Sequence, residues 1–438
     1  GSVYGFSIFP DEFAYWSHAA GLAGYDWSDI TSLSPYYSYG YSLLLFPVFM
    51  LCKDPVKAYR IAVGMNFVFL FLAYVFLAGT MKKIVPDKEI PVSVFALAAI
   101  LAPYNLFYTQ TTLTEVLLVS LYIIAGSLLF RYMENNRLYI LAAYVAVLIY
   151  MYIVHMRTVG VVLSGMLVLG IHIFGRKGKK WHFLAAAGMA VLLFALAGLG
   201  KEQILMDVYG SAGRELAADN DYSGQLGKIR YIFTLDGFYD FLISLCGKIL
   251  YLGLATFGLF YWGIYGLAGQ AVKMLKGISG HGGVPQGIRE HRAALQEFAL
   301  YVLLTVAAHV VISAVYLLTL GEIEDYTYGR YNELVLPLVM AAGLAVLWKQ
   351  RARTVWAVTG ILAVMQMAVT GLVVRQAAHT GADIFHGYFV VGIGYLYKEG
   401  DFTAGGFYAG AYLFGEFLTA LITAAVLFCR RDRKRRYV

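Results

Sequence analysis

The first residues able to do chemistry stand in the segment Phe9-Pro10-Asp11-Glu12-Phe13-Ala14-Tyr15-Trp16-Ser17-His18. Pro10 suits the first turn of a helix, and Asp11 and Glu12 suit its positive end. Gly24 suits its stop. On such a helix Asp11, Tyr15 and His18 share one face, at i, i+4 and i+7, while Phe13, Trp16 and Ala20 share another. The pattern predicts a short amphipathic helix lying on the outer membrane surface. Asp11, Glu12 and His18, with Glu115 further along, offer oxygen and nitrogen donors of the kind that hold a divalent cation. No compact motif such as His-Glu-x-x-His accompanies them, so the sequence allows a divalent metal without requiring one. The plain alternative for Asp11 and Glu12 is a pair of N-terminal helix acids on a solvated face.

Other candidate groups are spread along the chain. Ser34-Pro35-Tyr36-Tyr37-Ser38-Tyr39-Gly40-Tyr41 runs into an apolar stretch, and Ala58-Tyr59-Arg60 opens the next. Leu101-Ala102-Pro103-Tyr104-Asn105-Leu106-Phe107-Tyr108 is followed by Thr114-Glu115. Arg157 sits at the outer end of an apolar run, where snorkelling to the interface is the ordinary explanation. Tyr328-Gly329-Arg330-Tyr331-Asn332-Glu333 precedes Pro337, and Arg330 has Glu322, Glu324, Asp325 and Glu333 as ready partners for a loop salt bridge. Glu115 reads equally as an intramembrane acid with a task or as a helix N-terminal acid. His155, His309 and His386 lie near outer ends of apolar runs, with no partner evident from the sequence.

These residues must be positioned by membrane helices. The chain of 438 residues is 60% hydrophobic and 14% charged, with a mean hydropathy of +0.66, and a soluble surface of this size needs far more charge. Apolar runs long enough for helical spans occur at about 56–80, 90–110, 112–130, 138–156, 158–174, 181–200, 247–270, 298–320, 334–348, 354–374 and 408–428. Residues 41–52 are apolar but short, as in a re-entrant or interfacial piece. Strict alternation of the β-barrel kind is absent. The fold class expected is therefore all-α: one polytopic transmembrane domain over 1–438. Its outer loops are 1–55, with short interfacial helices, and 201–246 and 375–407. The 35 Tyr and six Trp suit membrane interfaces.

Orientation follows from the basic residues. Clusters at Lys82-Lys83, Arg131 to Arg137, Arg176 to Lys180, Lys273 to Arg292, Lys349 to Arg353 and Arg430 to Arg436 fall after every second span. They place the C-terminus in the cytoplasm and residues 1–40 outside. An outside start needs an upstream helix, so twelve spans are expected in the intact protein. The net charge of +7 is then a topology signal, with no nucleic-acid partner implied. Cys52, Cys246 and Cys429 show no metal-ligand spacing and no disulfide framework. The Gly-rich stretch at 278–287 lacks the Gly-Lys-Ser/Thr ending of a P-loop, and no dinucleotide fingerprint follows a strand.

Taken in order and on one membrane face, these motifs resemble the GT-C superfamily of membrane glycosyltransferases, most closely its protein O-mannosyltransferase and lipid A aminoarabinose transferase-like group. The shared features are the acid pair Asp11-Glu12 in the first outer loop, the Pro/Tyr-rich stretch and Arg60. A Pro-aromatic span end with a Thr-Glu start follows, and a late Arg330-Tyr331 with Pro337 downstream. The resemblance covers most of the chain and departs from the family in the absent first helix. It implies a helical bundle with an outward catalytic cavity. It also implies transfer of a sugar from a polyprenyl-phosphate donor to a lipid, glycan or protein acceptor outside a bacterial cytoplasmic membrane. Asp11 would be the general base with Glu12 beside it, because a fixed carboxylate can take the acceptor's proton. Arg157, Arg330 and Arg60 would bind the donor phosphate, because guanidinium offers a planar fork of donors. Tyr15, His18, Glu115 and Tyr331 would support the substrates. Since the donor bond is already activated, no nucleotide cofactor is needed.

Two other classes compete. A lipid-linked oligosaccharide polymerase or ligase centres on a large outer loop with paired Arg and His. Here 201–246 carries Arg214, Lys228 and Arg230 but no His. A transporter places charged or broken-helix sites at mid-membrane, often with repeats. The spans read as nearly free of charge, and no repeat is evident.

Overall fold

Pro10 does open a helix, α1 (Pro10–Leu22), with the proline in its first turn and Gly24 just beyond it at φ 82°. The computed structural model describes residues 5–7, 9–27, 36–88, 90–175, 179–209, 225–277, 285–318, 322–379, 385–396 and 403–435. Ser34, Pro35, Arg176, Arg214, Arg436 and most of the Gly-rich 278–287 stretch lie outside the described residues. No strand occurs among those described. After α1 come α2 (Ser42–Leu51), α3 (Pro55–Ile84), α4 (Val92–Ile100), α5 (Pro103–Tyr108), α6 (Glu115–Asn135), α7 (Leu138–Val154) and α8 (Val159–Gly175). The rest are α9 (Lys180–Tyr209), α10 (Gln225–Ile232), α11 (Leu235–Ala255), α12 (Leu259–Leu275), α13 (Gln286–Leu317), α14 (Leu336–Lys349), α15 (Ala352–His379) and α16 (Ala404–Arg435).

Among the described residues, eight helices are long and apolar enough to cross a membrane: α3, α6, α8 with the turn before it, α9, α11, α13, α15 and α16. The chain is thus an all-α protein of integral-membrane type. Four expected spans come out differently. The 138–156 and 334–348 stretches form helices of 17 and 14 residues. The 90–110 stretch is broken between α4 and α5, because Pro103 cannot continue a helix from Ile100. The 247–270 stretch is broken by two left-handed residues, Phe257 (φ 53°) and Gly258 (φ 75°), with the Gly258 amide donating to the Gly253 carbonyl at 2.8 Å. The expected outer loop 201–246 is helical over much of its described length. It holds the end of α9, all of α10 and half of α11, and α11 is one of the eight candidate spans. Asp236, Asp240 and Lys248 lowered the apparent hydropathy there.

The helices fall into two units, residues 1–77, 105–224 and 279–301 in the first, and 78–104, 225–278 and 302–438 in the second. In the first unit α6 is central, with 83% of its apolar window buried. Its small residues allow close neighbours: Ser120 Oγ donates to the Phe69 carbonyl at 2.5 Å. Asn136, left-handed at φ 50°, caps α6 and turns the chain into α7. At the periphery α9 has only 17% of its window buried and exposes Leu184, Val191, Leu192 and Leu199, as a lipid-facing helix does.

In the second unit α14 is largely buried, from Leu336 to Trp348. It packs Trp348 edge-on against Phe95 of α4, with ring centres 5.5 Å apart. The α15 and α16 windows are 22% and 17% buried, again peripheral.

Candidate functional site

The first unit gathers the acids of α1. The helix is not a surface-lying amphipathic one: Asp11, Glu12, Tyr15, Trp16 and His18 are all buried, so both predicted faces are covered. Glu12 is fully buried and accepts five hydrogen bonds. Its Oε1 receives the Tyr59 hydroxyl at 2.7 Å, the Thr112 amide at 2.5 Å and the Thr112 hydroxyl at 2.8 Å. Its Oε2 receives the Ser7 amide at 2.6 Å and the Ser7 hydroxyl. Trp16 Nε1 donates to Thr112 Oγ1 at 3.0 Å and its ring stacks on Tyr59. Five donors exceed the four lone-pair sites of a carboxylate. Glu12 therefore fastens α1 to the 7, 59 and 112 positions.

Thr112 lies in an unwound stretch between α5 and α6. Buried backbone there needs partners, and Asn66 of α3, fully buried, supplies them. Its Nδ2 donates to the carbonyls of Thr111 at 2.7 Å and Thr109 at 3.3 Å. Three residues after Thr112, Glu115 starts α6 and binds Arg157. The Arg157 Nη2 to Glu115 Oε1 distance is 3.1 Å, with the side chains 1% and 5% exposed. A guanidinium 1% exposed does not snorkel, so that explanation of Arg157 is set aside.

Tyr41 completes this group. It is fully buried and its hydroxyl has no hydrogen-bond partner. Burial first, then the charges of Glu12 and Glu115, push its phenol well above the usual value. Tyr15 packs edge-on against it at 5.6 Å. Gly40 sets its place: the Gly40 amide donates to the Ile153 carbonyl at 2.9 Å, and a Cβ there would stand 2.5 Å from the Val154 nitrogen. Only glycine lets this strand of loop lie against the end of α7, two residues before His155 and the Arg157 turn.

His18 faces two hydroxyls. Its Nε2 pairs with the Tyr209 hydroxyl at 2.9 Å and its Nδ1 faces Ser42 Oγ at 3.5 Å. With Glu12 saturated and Glu115 bound to Arg157, the proposed cation set of Asp11, Glu12, His18 and Glu115 does not come together among the described residues. Burial pushes His18 down from 6.5 to about 3. The unfolded chain then takes up the proton first, so stability is full above about 6.5 and is lost as pH falls below it. The expected loss is about 1.4 kcal/mol per pH unit from this side chain. Thermal unfolding in detergent between pH 7.5 and 5 checks this, and His18→Gln is expected to flatten that slope. An unchanged slope in the variant would assign the acid sensitivity elsewhere.

Of the remaining candidates in this unit, Asp11 is 7% exposed, while Arg60 stands at an exposed position of α3.

The second unit holds Arg330, 4% exposed. The amides of Gly329 and Arg330 both donate to the Phe389 carbonyl, at 2.9 and 3.3 Å, and Tyr328 stacks on Phe389 at 4.6 Å. Tyr331 lies against Tyr328 and Tyr316, and its carbonyl faces His309 Nδ1 at 3.1 Å. Glu333, 3% exposed, accepts from the Tyr251 hydroxyl, which in turn accepts from the Gly392 amide at 2.9 Å.

Several polar residues were invisible in the sequence as parts of a network. Lys248, fully buried in α11, donates to the Asp325 carbonyl at 2.7 Å and to Ser244 Oγ at 3.1 Å. Gln366 of α15 donates to Glu416 of α16 at 2.5 Å. The spans are thus less free of charge than the sequence suggested. Their i, i+4 spacing of Ser244 and Lys248 was the one available signal. Burial raises Asp325 from 3.8 to about 7. It also raises Glu324, despite the hydrogen bonds from His386. No protein-family model matches the sequence, and no curated protein or solved structure matches it.

Proposed function

We propose that the protein is a GT-C-type glycosyltransferase that moves a sugar from a polyprenyl-phosphate donor to an acceptor on the extracytoplasmic face of a bacterial cytoplasmic membrane, with its C-terminus in the cytoplasm. The observation that carries the reading is the buried acid and arginine group of the first unit. A guanidinium 1% exposed, facing Glu115, is costly to keep in an apolar setting, and a polyanionic ligand is one task that would retain it. Glu12 ties α1 to Thr112, three residues before Glu115, and the unpartnered Tyr41 hydroxyl stands by the same acids. In the reaction the acceptor oxygen or nitrogen bonds to the anomeric carbon. The bond from that carbon to the phosphate oxygen breaks, and its electron pair leaves with the phosphate. Asp11 takes the acceptor's proton, and Arg157 stabilises the departing charge.

The direct test is incubation of the purified protein with a panel of polyprenyl-phosphate-linked hexoses, reading release of polyprenyl phosphate. No consumption of any member, with and without candidate acceptors, would sink the reading. Arg330 is assigned to phosphate binding as well. Arg330→Lys is expected to lower turnover by about 10- to 100-fold, because an ammonium cannot reproduce a bidentate fork. Undiminished transfer with normal folding would leave Arg330 a structural residue. A transporter reading would rest on Lys248 and Glu416 within spans. Lys248 is held by Ser244 and a carbonyl, and Glu416 accepts from Gln366.

A further inference from the structure

The second unit brings together three donors that the sequence leaves far apart. His386 Nδ1 lies 2.7 Å from Glu324 Oε1 and 3.6 Å from Glu322 Oε2, and the ligand atoms of all three residues fall within 4.8 Å of one another. Bonds of about 2.1 Å to a tetrahedral metal put ligand atoms about 3.4 Å apart, so small movements would let all three reach one ion. A second observation points to a ligand. Glu324 is fully buried, and its Oε1 takes both the His386 amide, at 3.0 Å, and the His386 ring. Its Oε2 is buried with no hydrogen-bond partner. The two oxygens share one carbon, so the orphan lies beside the same cluster. A buried carboxylate oxygen without a donor is costly, and a cation removes that cost.

The surroundings are built to hold the donors in place. Glu322 and Glu324 belong to a 3-10 turn (Ile323–Tyr326) with its cap, closed by the Glu322 amide donating to Asp325 Oδ2 at 2.8 Å. Tyr408 of α16 donates to the Ile323 carbonyl at 3.0 Å, and Lys248 of α11 holds the Asp325 carbonyl. On the other side His386 begins the segment whose Phe389 carbonyl takes the Gly329 and Arg330 amides. Side-chain exposures of 30% for His386 and 42% for Glu322 leave an entry path.

From this we infer that Glu322, Glu324 and His386 form a divalent cation site that clamps the 386–389 segment to the 322–326 turn and so fixes the backbone at Arg330. One imidazole nitrogen with two carboxylates favours Zn2+ over Mg2+, which prefers oxygen and water. Two of the three ligands are half-open to solvent, so a fourth position remains for water.

The test uses the full chain in detergent, stripped with chelator and titrated with Zn2+, with bound metal measured by elemental analysis and unfolding followed by heat. Expected are one equivalent of zinc per chain, a raised unfolding temperature, and little response to Mg2+ at the same concentration. His386→Ala and Glu322→Gln, both at partly exposed positions, are expected to fold and to weaken zinc binding by about tenfold or more. Glu324→Gln is expected to abolish it, and if that variant fails to fold the other two decide. Absence of stoichiometric zinc in the wild type overturns the site, as does unaltered binding in His386→Ala and Glu322→Gln, or equal affinity for Mg2+. None of these readouts depends on sugar transfer, so this site and the glycosyltransferase reading stand or fall separately.

Discussion

Asp11→Asn is expected to slow transfer from a polyprenyl-phosphate sugar by about 10²-fold or more, the usual scale for loss of a general base. The substitution keeps size and most hydrogen-bonding capacity but removes the ability to take a proton at neutral pH. Donor binding should change little, because the guanidinium groups assigned to the phosphate are untouched. Glu12→Gln is the necessary comparison, and the structure changes what it should do. All five groups on the Glu12 carboxylate donate, and an amide turns one acceptor into a donor facing other donors. The expected effect is a loss of stability of about 1–3 kcal/mol, read as a lower unfolding temperature, with turnover per folded molecule largely kept. On a helix the two acids point about 100° apart, so distinct behaviour is reasonable for neighbours. If Asp11→Asn turns over normally, α1 is not the catalytic element and the mechanism proposed for it fails.

Separating Glu115 from Arg157 is the second large effect. Removing one partner of a buried pair leaves the other charge uncompensated, at about 3–5 kcal/mol. Arg157→Met and Glu115→Gln should each lower stability by that order, and the double variant should recover much of it because neither charge remains. Activity separates the structural role from the functional one. If Arg157 stabilises the leaving phosphate, the double variant folds and does not transfer sugar. A double variant that recovers both folding and transfer would assign the pair to architecture alone. Arg157→Lys gives a third reading, since it keeps the charge but not the fork.

The membrane class of this protein was set by its sequence, because the hydrophobic effect acts on composition and length. Among the described residues, the eight helices long and apolar enough to span were legible as apolar runs, save that α11 was half hidden. There Asp236, Asp240 and Lys248 diluted a run of helical length. The α1 boundaries were legible too, because Pro10 and Gly24 act through local backbone geometry. The breaks at Leu101–Ala102 and Phe257–Gly258 were less so: an apolar run carries no mark of where a neighbour will satisfy unwound backbone.

Tertiary structure alone decided which polar groups are engaged. Nothing at positions 7, 59 and 112 announces that all three converge on Glu12, 5, 47 and 100 residues away. Arg157 stood out in the sequence, yet its partner Glu115 lies 42 residues back, and only packing told an ion pair from a snorkelling side chain. The cluster of Glu322, Glu324 and His386 shows the same limit most clearly. The sequence offered Asp11, Glu12, His18 and Glu115 as oxygen and nitrogen donors, but ligand motifs are read by spacing. The cluster joins a turn at 322–324 to His386, 62 residues beyond Glu324, and no spacing rule connects them. Hydrogen bonds and metal bonds reach only a few ångströms, and which distant residues come that close is fixed by the packing of the helices between them.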